Sequence, residues 1–404
     1  MSQATTLAEF ADITLREHTA REVTLFDDEV ALLRREFAGR LDVAPTPSAG
    51  VYTLQSHQYV GFAVLPGGRV IEIRPKVQVG VLFAMLAKVH GLVDFGPEPS
   101  GYRSVADLFE FVVDLFAGMV EDLVARGILR GFEPREDDLL APRGKVLVTE
   151  TIRRRPVVRD RHWCAFTEFT TDVAENRILR LTCDGLLPFH YPRVPDLSAR
   201  LRRLLRTLAD VTHDPDAVGA FDRLVFHRLN EHYRPALALA RLLLSCLSPG
   251  GSRGPHRFLA FLVNMNTLFE RYVTAVLKEA AAGRSDLRVV DQDPQTLDLD
   301  RQVNVRPDVV LYRNEVPALA LDAKYKRAEP GTDVYQALAY CHALKLPCTV
   351  LVYPAGAGIA ALRHRIKPPG SIEVVRLTLD LSGTVVDLER QTREFVASVW
   401  RETV

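Results

Sequence analysis

The run Cys348 to Tyr353 (CTVLVY) is apolar at nearly every position, so a strand there is buried on both faces and belongs inside a covered sheet. The residues before it supply the setting. Phe258, Leu262, Met265, Phe269, Tyr272 and Val276 share one face of a helix over 258–281. Leu287 to Asp291 is short and β-like. Val303 to Tyr312 and Ala318 to Tyr325 read as strands joined by a turn at Asn314-Glu315, and 331–345 reads as a helix. The order is therefore helix, strand, strand, strand, helix, strand.

Side chains alternate between the faces of a strand. Asp308 shares a face with Arg306 and Val310, while Asp322 and Lys324 share a face of the second strand, opposite Leu319, Leu321, Ala323 and Tyr325. Folded as a hairpin centred on residue 315, the two strands set Asp308 across from Asp322, at a Cβ separation of about 4.5–5.5 Å. Like charges that close are destabilising unless a cation lies between them. Lys324 stands one step further along the same face. Paired carboxylates are hard oxygen ligands for Mg²⁺, which polarises a phosphate and acidifies a bound water, and an ammonium beside them can steady the charge that develops. Pro307-Asp308, thirteen intervening residues and Asp322-Ala323-Lys324 form the PD-(D/E)xK nuclease signature. The bland alternative is a hairpin whose polar face is merely solvated, but the flanking apolar residues describe a buried sheet. Glu270, at the edge of the apolar face of the preceding helix, is a candidate third metal ligand or simply a surface glutamate. Gln336, opening the following helix, is a candidate contact to the attacking water or to the DNA backbone. The metal ligands are thus expected to be Asp308, Asp322 and Glu270, holding Mg²⁺ with Mn²⁺ as a substitute. Zn²⁺ is not expected, because no Cys or His clusters here.

Upstream the pattern changes. Val51 to Leu65 and Arg69 to Lys76 read as a hairpin around Pro66-Gly67-Gly68, with Pro75 ending the second strand or placing it at an edge. Residues 104–126 form an amphipathic helix capped by Ser104 and stopped at Gly127. Helices follow over 172–187, around Leu197 to Leu208, and over 235–246. Between them, about 131–172, lies a β-rich segment rich in positive charge. Ser248 to Pro255 holds two prolines and three glycines, which no regular element tolerates, so it reads as a linker. The expected architecture is a multidomain α+β or α/β chain. It has a β-rich region over 1–100, a mostly helical middle over 101–247 with the projecting 131–172 segment, a linker over 248–257 and a PD-(D/E)xK restriction-endonuclease-like domain over 258–404. The first two regions together are expected to fold without the last.

Net charge is zero, 51 basic residues against 51 acidic, so DNA contact rests on local patches or on a partner. Cys164, Cys183, Cys246, Cys341 and Cys348 have neither disulfide nor zinc spacing. The polar N-terminus is no signal peptide, and the richest apolar stretch, 235–247, is too short to cross a bilayer. A cytoplasmic setting without membrane contact fits. No GxxxxGK[ST] run is present, so the chain is not expected to hydrolyse GTP or ATP.

Across most of its length the chain resembles the McrC family, the nuclease subunits of McrBC-type modification-dependent restriction systems. The resemblance rests on Gly61-Phe62-Ala63-Val64, Ile71-Glu72-Ile73-Arg74-Pro75-Lys76, Arg143-Gly144-Lys145, Cys164 to Thr170, Asp172 and Asn176-Arg177-Ile178-Leu179. The nuclease motifs carry it further: Leu268-Phe269-Glu270, Arg306-Pro307-Asp308, Asp322-Ala323-Lys324-Tyr325-Lys326 and Tyr335-Gln336. The resemblance implies a DNA endonuclease that cleaves modified foreign double-stranded DNA. It also implies a partner, a McrB-like AAA+ GTPase hexamer, in whose channel the N-terminal half docks and whose GTPase it stimulates. Two other readings stay open: an activator of the motor that no longer cleaves, and a stand-alone repair nuclease.

Overall fold

The structure is a computed structural model and describes residues 12–92, 104–154, 160–247, 259–326, 331–356, 361–367 and 372–403. The expected linker at 248–257 and residues 155–159 of the basic 131–172 segment lie outside them. The chain opens with β1 (Ile13–Arg16), β2 (Ala20–Thr24), α1 (Asp27–Glu36), β3 (Leu41–Pro45), β4 (Val51–Ser56), β5 (Tyr59–Val64), β6 (Val70–Arg74) and α2 (Val79–His90). Next come α3 (Val105–Arg126), β7 (Gly131–Leu139), β8 (Lys145–Val146), α4 (Val148–Arg154), β9 (His162–Thr170), α5 (Ala174–Leu186), α6 (Leu197–Thr207) and α7 (Arg234–Cys246). Then follow β10 (Leu259–Asn264), α8 (Met265–Ala281), β11 (Leu287–Asp291), β12 (Gln295–Thr296), β13 (Asn304–Val305), β14 (Val309–Arg313) and β15 (Val316–Ala323). The last elements are α9 (Thr332–Leu344), β16 (Cys348–Pro354), β17 (Leu362–Arg365), β18 (Glu373–Leu379) and α10 (Val385–Arg401).

The chain divides differently from the sequence expectation. One compact unit comprises Met1–Leu108 and Ser248–Val404, and the other is Phe109–Leu247. The reason lies in the segment read as the first turns of a helix over 258–281. Residues Leu259–Asn264 are instead a strand that pairs antiparallel with β5, and the helix begins only at Met265. The Asn264 side chain accepts hydrogen bonds from the Asn266 and Thr267 N–H groups, the standard way to satisfy the free donors of a helix start. Ala260 and Leu262 enter the apolar core of the N-terminal region with Ile13, Leu15, Ile71 and Ile73. β10, which lies after the expected linker, is therefore built into the N-terminal core, and the described residues of 12–92 and 259–403 fall in one compact unit.

The first unit contains a sheet in the order β1-β6-β5-β10 and another in the order β2-β4-β3. The long strand expected over 51–65 is two strands, one in each sheet, while β6 ends one residue before Pro75 as expected. The catalytic-looking motifs lie on a sheet in the order β11-β14-β15-β16-β18-β17. The apolar run of β16 is interior and parallel to both its neighbours. α3 is capped by Ser104, whose hydroxyl accepts from the Asp107 N–H, and in the second unit β7-β9-β8 form a separate ribbon over the expected β-rich segment.

The β5–β10 pairing depends on one missing side chain. Gly61 has φ +143, and a Cβ there would fall 1.9 Å from the Phe261 carbonyl oxygen. Gly61→Ala is expected to cost more than about 4 kcal/mol, since neither backbone can retreat without breaking the ladder. Gly67→Ala, in the open turn between β5 and β6 with nothing within 4 Å, is expected to cost only about 1–2 kcal/mol, the strain of a left-handed residue. Denaturant unfolding of the two variants checks this, and equal losses would contradict it.

Candidate active site

The site begins with a turn. Asn314 and Glu315 both have positive φ, 48 and 64, the conformation of a two-residue hairpin whose twist matches the strands. Such a turn pairs Arg313 with Val316 and Tyr312 with Pro317. Continued without interruption, that ladder would set Asp308 opposite Leu321. A bulge intervenes: Leu311 pairs with Leu319, so Ala318 is the extra residue. Beyond it the pairs run Val310 with Ala320 and Val309 with Leu321, where the ladder ends, and Asp308 and Asp322 each stand one residue past that last pair. Pro317 sits beside the bulge, where a strand tolerates a missing N–H. Pro307 interrupts the long strand expected over 303–312, which is two short strands, β13 and β14.

Asp308 and Asp322 are 8% and 1% exposed. They lie on the face that also carries Val310 and Ala320, beneath Tyr340 and Cys341 of α9. Asp308 accepts from the Ala323 N–H at 2.8 Å and from the Gln292 side-chain amide at 2.9 Å. The Gln292 N–H also donates to the Asp308 carbonyl, 3.0 Å. The Lys324 Nζ lies 2.5 Å from Asp322 Oδ2, and the Tyr340 hydroxyl lies 3.2 Å from Asp322 Oδ1.

The electrostatics follow from burial. Loss of water, then the charge of Asp322, pushes the Asp308 carboxyl up to about 7. Burial raises Asp322 as well, opposed by the Lys324 ammonium. Glu270, half-buried on α8, is raised by burial; Lys324 opposes the shift and the Asp322 charge adds to it. These carboxyls share one electric field, in which the Lys324 ammonium opposes the rise of all three.

The structure brings together Asp308, Asp322 and Lys324. It does not gather Glu270 with the two aspartates into a tight cage: among the described residues no three His, Cys, Asp or Glu side chains converge closely enough to hold a metal. Gln336 is exposed and reaches the site at one remove, its amide donating to the Tyr340 hydroxyl at 2.6 Å. Several participants were not singled out in the sequence. Gln292 gave no signal, because its role depends on a left-handed backbone (φ 51) at the end of β11. Asp333, Ala337 and Tyr340 did carry one, since their spacing puts an acid and a tyrosine on the buried face of α9. Asp333 meets Lys326 at 3.1 Å and accepts from the Tyr353 hydroxyl at 2.5 Å.

The site is thus a buried pair of carboxylates flanked by a lysine on a mixed sheet, a donor set of hard oxygen ligands. The comparisons with known proteins give the family. The family model described as "McrBC 5-methylcytosine restriction system component" matches residues 54–354, and the chain belongs to that family. Among solved structures, a chain in a refined half-complex from a tetradecameric assembly of Thermococcus gammatolerans McrB AAA+ hexamers with bound McrC is similar in fold. The TM-score is 0.58 at 18% identity, covering 96% of this chain and all of that one. A second chain, from the cryo-EM structure of the T. gammatolerans McrBC complex, matches at 24% identity with TM-score 0.42 over 66% of this chain and 87% of that one. No curated protein matches the chain. No described helix is long and apolar enough to cross a membrane.

The raised Asp308 gives a stability prediction without cation. A carboxyl whose folded pKa exceeds its unfolded value favours the fold when protonated. That contribution is complete below the unfolded value near 4 and is lost as pH rises toward about 7. In EDTA, Asp308→Asn is expected to raise Tm above that of the unaltered chain at pH 8, by about 2–4 °C per kcal/mol relieved. The gap should narrow toward pH 5. Thermal unfolding at the two pH values checks it, and a lower Tm for Asp308→Asn at pH 8 would contradict it.

Proposed function

We propose that the chain is the Mg²⁺-dependent DNA endonuclease subunit of a McrBC-like restriction complex. In this reading it cleaves modified double-stranded DNA and stimulates a McrB-like AAA+ GTPase hexamer, and Mn²⁺ can replace Mg²⁺. The observation that carries the reading is the buried Asp308–Asp322 pair with Lys324 on its rim. A pair of acids with no catalytic use would be replaced at a gain in stability, because two like charges are kept out of water with one ammonium between them.

The donor set fits the cation. Mg²⁺ is bound by one or two carboxylates and keeps several waters, so Asp308 and Asp322 suffice as direct ligands, and Glu270 would act through water. When bound, the cation supplies positive charge at the scissile phosphate and acidifies a water in its shell. Lys324 places an ammonium where charge develops on the phosphate oxygens. Gln292 and the Ala323 N–H fix the Asp308 carboxylate, and Tyr340 fixes that of Asp322, so neither must reorganise during the reaction.

Alanine at Asp308, Asp322 or Lys324 is expected to lower DNA cleavage by at least about 100-fold while leaving partner binding intact. Glu270→Ala and Gln336→Ala should have smaller effects, since neither touches the aspartates directly. Cleavage of modified DNA by the assembled complex in Mg²⁺ checks this. A rate within about tenfold of the unaltered complex for either aspartate variant would overturn the assignment.

The partner side rests on the ribbon of the second unit. Phe132, Leu140, Val148, Ile152 and Phe169 are all exposed there, and such a set of apolar side chains on one segment suits a protein partner. Among them stand Arg143, stacked on Phe166, and Arg154, stacked on Trp163. Arg153 and Arg154 both pair with Glu150. Reversing the charge of Arg153 and Arg154 is expected to lower motor-stimulated nucleotide hydrolysis in the absence of DNA, by about tenfold. Lowered DNA affinity with a flatter salt dependence, and unchanged DNA-free hydrolysis, would instead place the ribbon on phosphates.

A further inference from the structure

Glu17 follows β1 in the N-terminal sheet, yet its side chain belongs to the neighbourhood of the catalytic-looking strand. It is fully buried, and Oε1 accepts two hydrogen bonds, from the Tyr325 hydroxyl at 2.9 Å and from the Lys76 N–H at 2.6 Å. Its own N–H donates to the Arg74 carbonyl, 3.0 Å, so the carboxylate is fixed to the ends of both β1 and β6. Tyr325 is the residue after Lys324 and is 5% exposed, with its ring 5.8 Å from that of Phe269, the neighbour of Glu270 on α8. At Lys324 the strand has outrun β14. The Lys324 N–H still donates to the Val352 carbonyl of β16, 2.8 Å, but no ladder holds the other side. The Tyr325 hydroxyl, bonded to Glu17, is a further hold on this segment.

Packing alone does not account for this choice. A buried carboxylate costs several kcal/mol unless it is fully satisfied, and Glu17 Oε2 has no hydrogen-bond partner among the described residues. A leucine would fill the volume without that penalty, but it could not accept from Tyr325 and Lys76 together.

We propose that Glu17 is a positioning residue for phosphodiester cleavage. Through the Tyr325 hydroxyl it holds the end of the catalytic strand so that the Lys324 ammonium stays beside Asp322. This rests on the nuclease reading given above and extends the working site to the opening residues of the chain. It also assigns Tyr325, just past the end of β15, a task distinct from that of Lys324.

The test uses the full chain assembled with its motor and compares Tyr325→Phe, Glu17→Ala and Glu17→Gln. Measured quantities are the maximal cleavage rate at saturating DNA, the DNA concentration for half-maximal rate, DNA affinity in Ca²⁺, stimulated nucleotide hydrolysis and Tm. Tyr325→Phe removes one hydroxyl from a packed ring and keeps the fold testable even if Glu17→Ala does not fold. Tyr325→Phe is expected to lower the maximal rate by about tenfold or more with the half-saturating concentration, DNA affinity and motor stimulation unchanged. Glu17→Gln, whose amide oxygen accepts the same two hydrogen bonds, is expected to retain most of the rate that Glu17→Ala loses. Cleavage by the unaltered complex together with an unchanged maximal rate for Tyr325→Phe overturns this inference alone. So does a Tyr325→Phe loss that tracks Tm and lowers motor stimulation in parallel, or a Glu17→Gln loss as large as that of Glu17→Ala. An unaltered complex that cleaves no faster than its Asp308→Ala variant overturns the nuclease reading itself, and this inference with it.

Discussion

Two carboxylates kept out of water on adjacent strands repel each other, and the surrounding structure consists largely of what holds them there. Asp308 and Asp322 each stand one residue past the last pair of the hairpin ladder because a bulge at Ala318 moves that ladder by one residue. Each is then fixed by a neutral donor, Gln292 or Tyr340, that does nothing to neutralise its charge. Burial raises both acids, the charge of Asp322 adds to the rise of Asp308, and the single ammonium of Lys324 opposes the shift at each, with its ion pair made to Asp322 Oδ2. The remaining deficit of positive charge is what a divalent cation with oxygen preference would meet.

The same constraint explains how the first unit is put together. A site built from the end of a strand needs supports on every side of that strand. β16 supplies one through the Val352 carbonyl, α9 another through Tyr340 and Asp333, and the N-terminal sheet a third through Glu17. That sheet reaches the site because β10 completes it immediately before α8, the helix that carries Glu270. The N-terminal sheet and the sheet that carries the aspartates therefore belong to one compact unit, and Phe109–Leu247 forms the second. The supports that hold the aspartates come from one unit, while the exposed ribbon that suits a partner belongs to the other.

Much of the site was legible because strand alternation is a strict period. Asp308, Asp322 and Lys324 could be placed on one face from residue types and spacing alone. The route was less faithful than the result: a hairpin centred on residue 315 and a two-residue turn followed by a bulge lead to the same pairing. Elements with strong caps were also readable, such as α3 between Ser104 and Gly127. What failed was the start of α8. Leu259 to Val263 is apolar throughout, and an apolar run fits a helix face and a buried strand equally well. Only pairing with β5 across some 200 residues of sequence decides between them. Gln292 and Glu17 were invisible for a related reason, since a local pattern cannot report a hydrogen bond made to a distant strand.

The central claim is that the aspartate pair is a cation site, and the most direct measurement is the proton released when Mg²⁺ is titrated into the chain near pH 7. Calorimetry in buffers of different ionisation enthalpy reads it. Because Asp308 holds its proton up to about 7, binding is expected to expel a substantial fraction of one proton, and Asp308→Asn is expected to abolish both the release and the tight binding. Binding without proton release, or binding and release that persist in Asp308→Asn, would show that the cation sits elsewhere and that the buried pair is not the site.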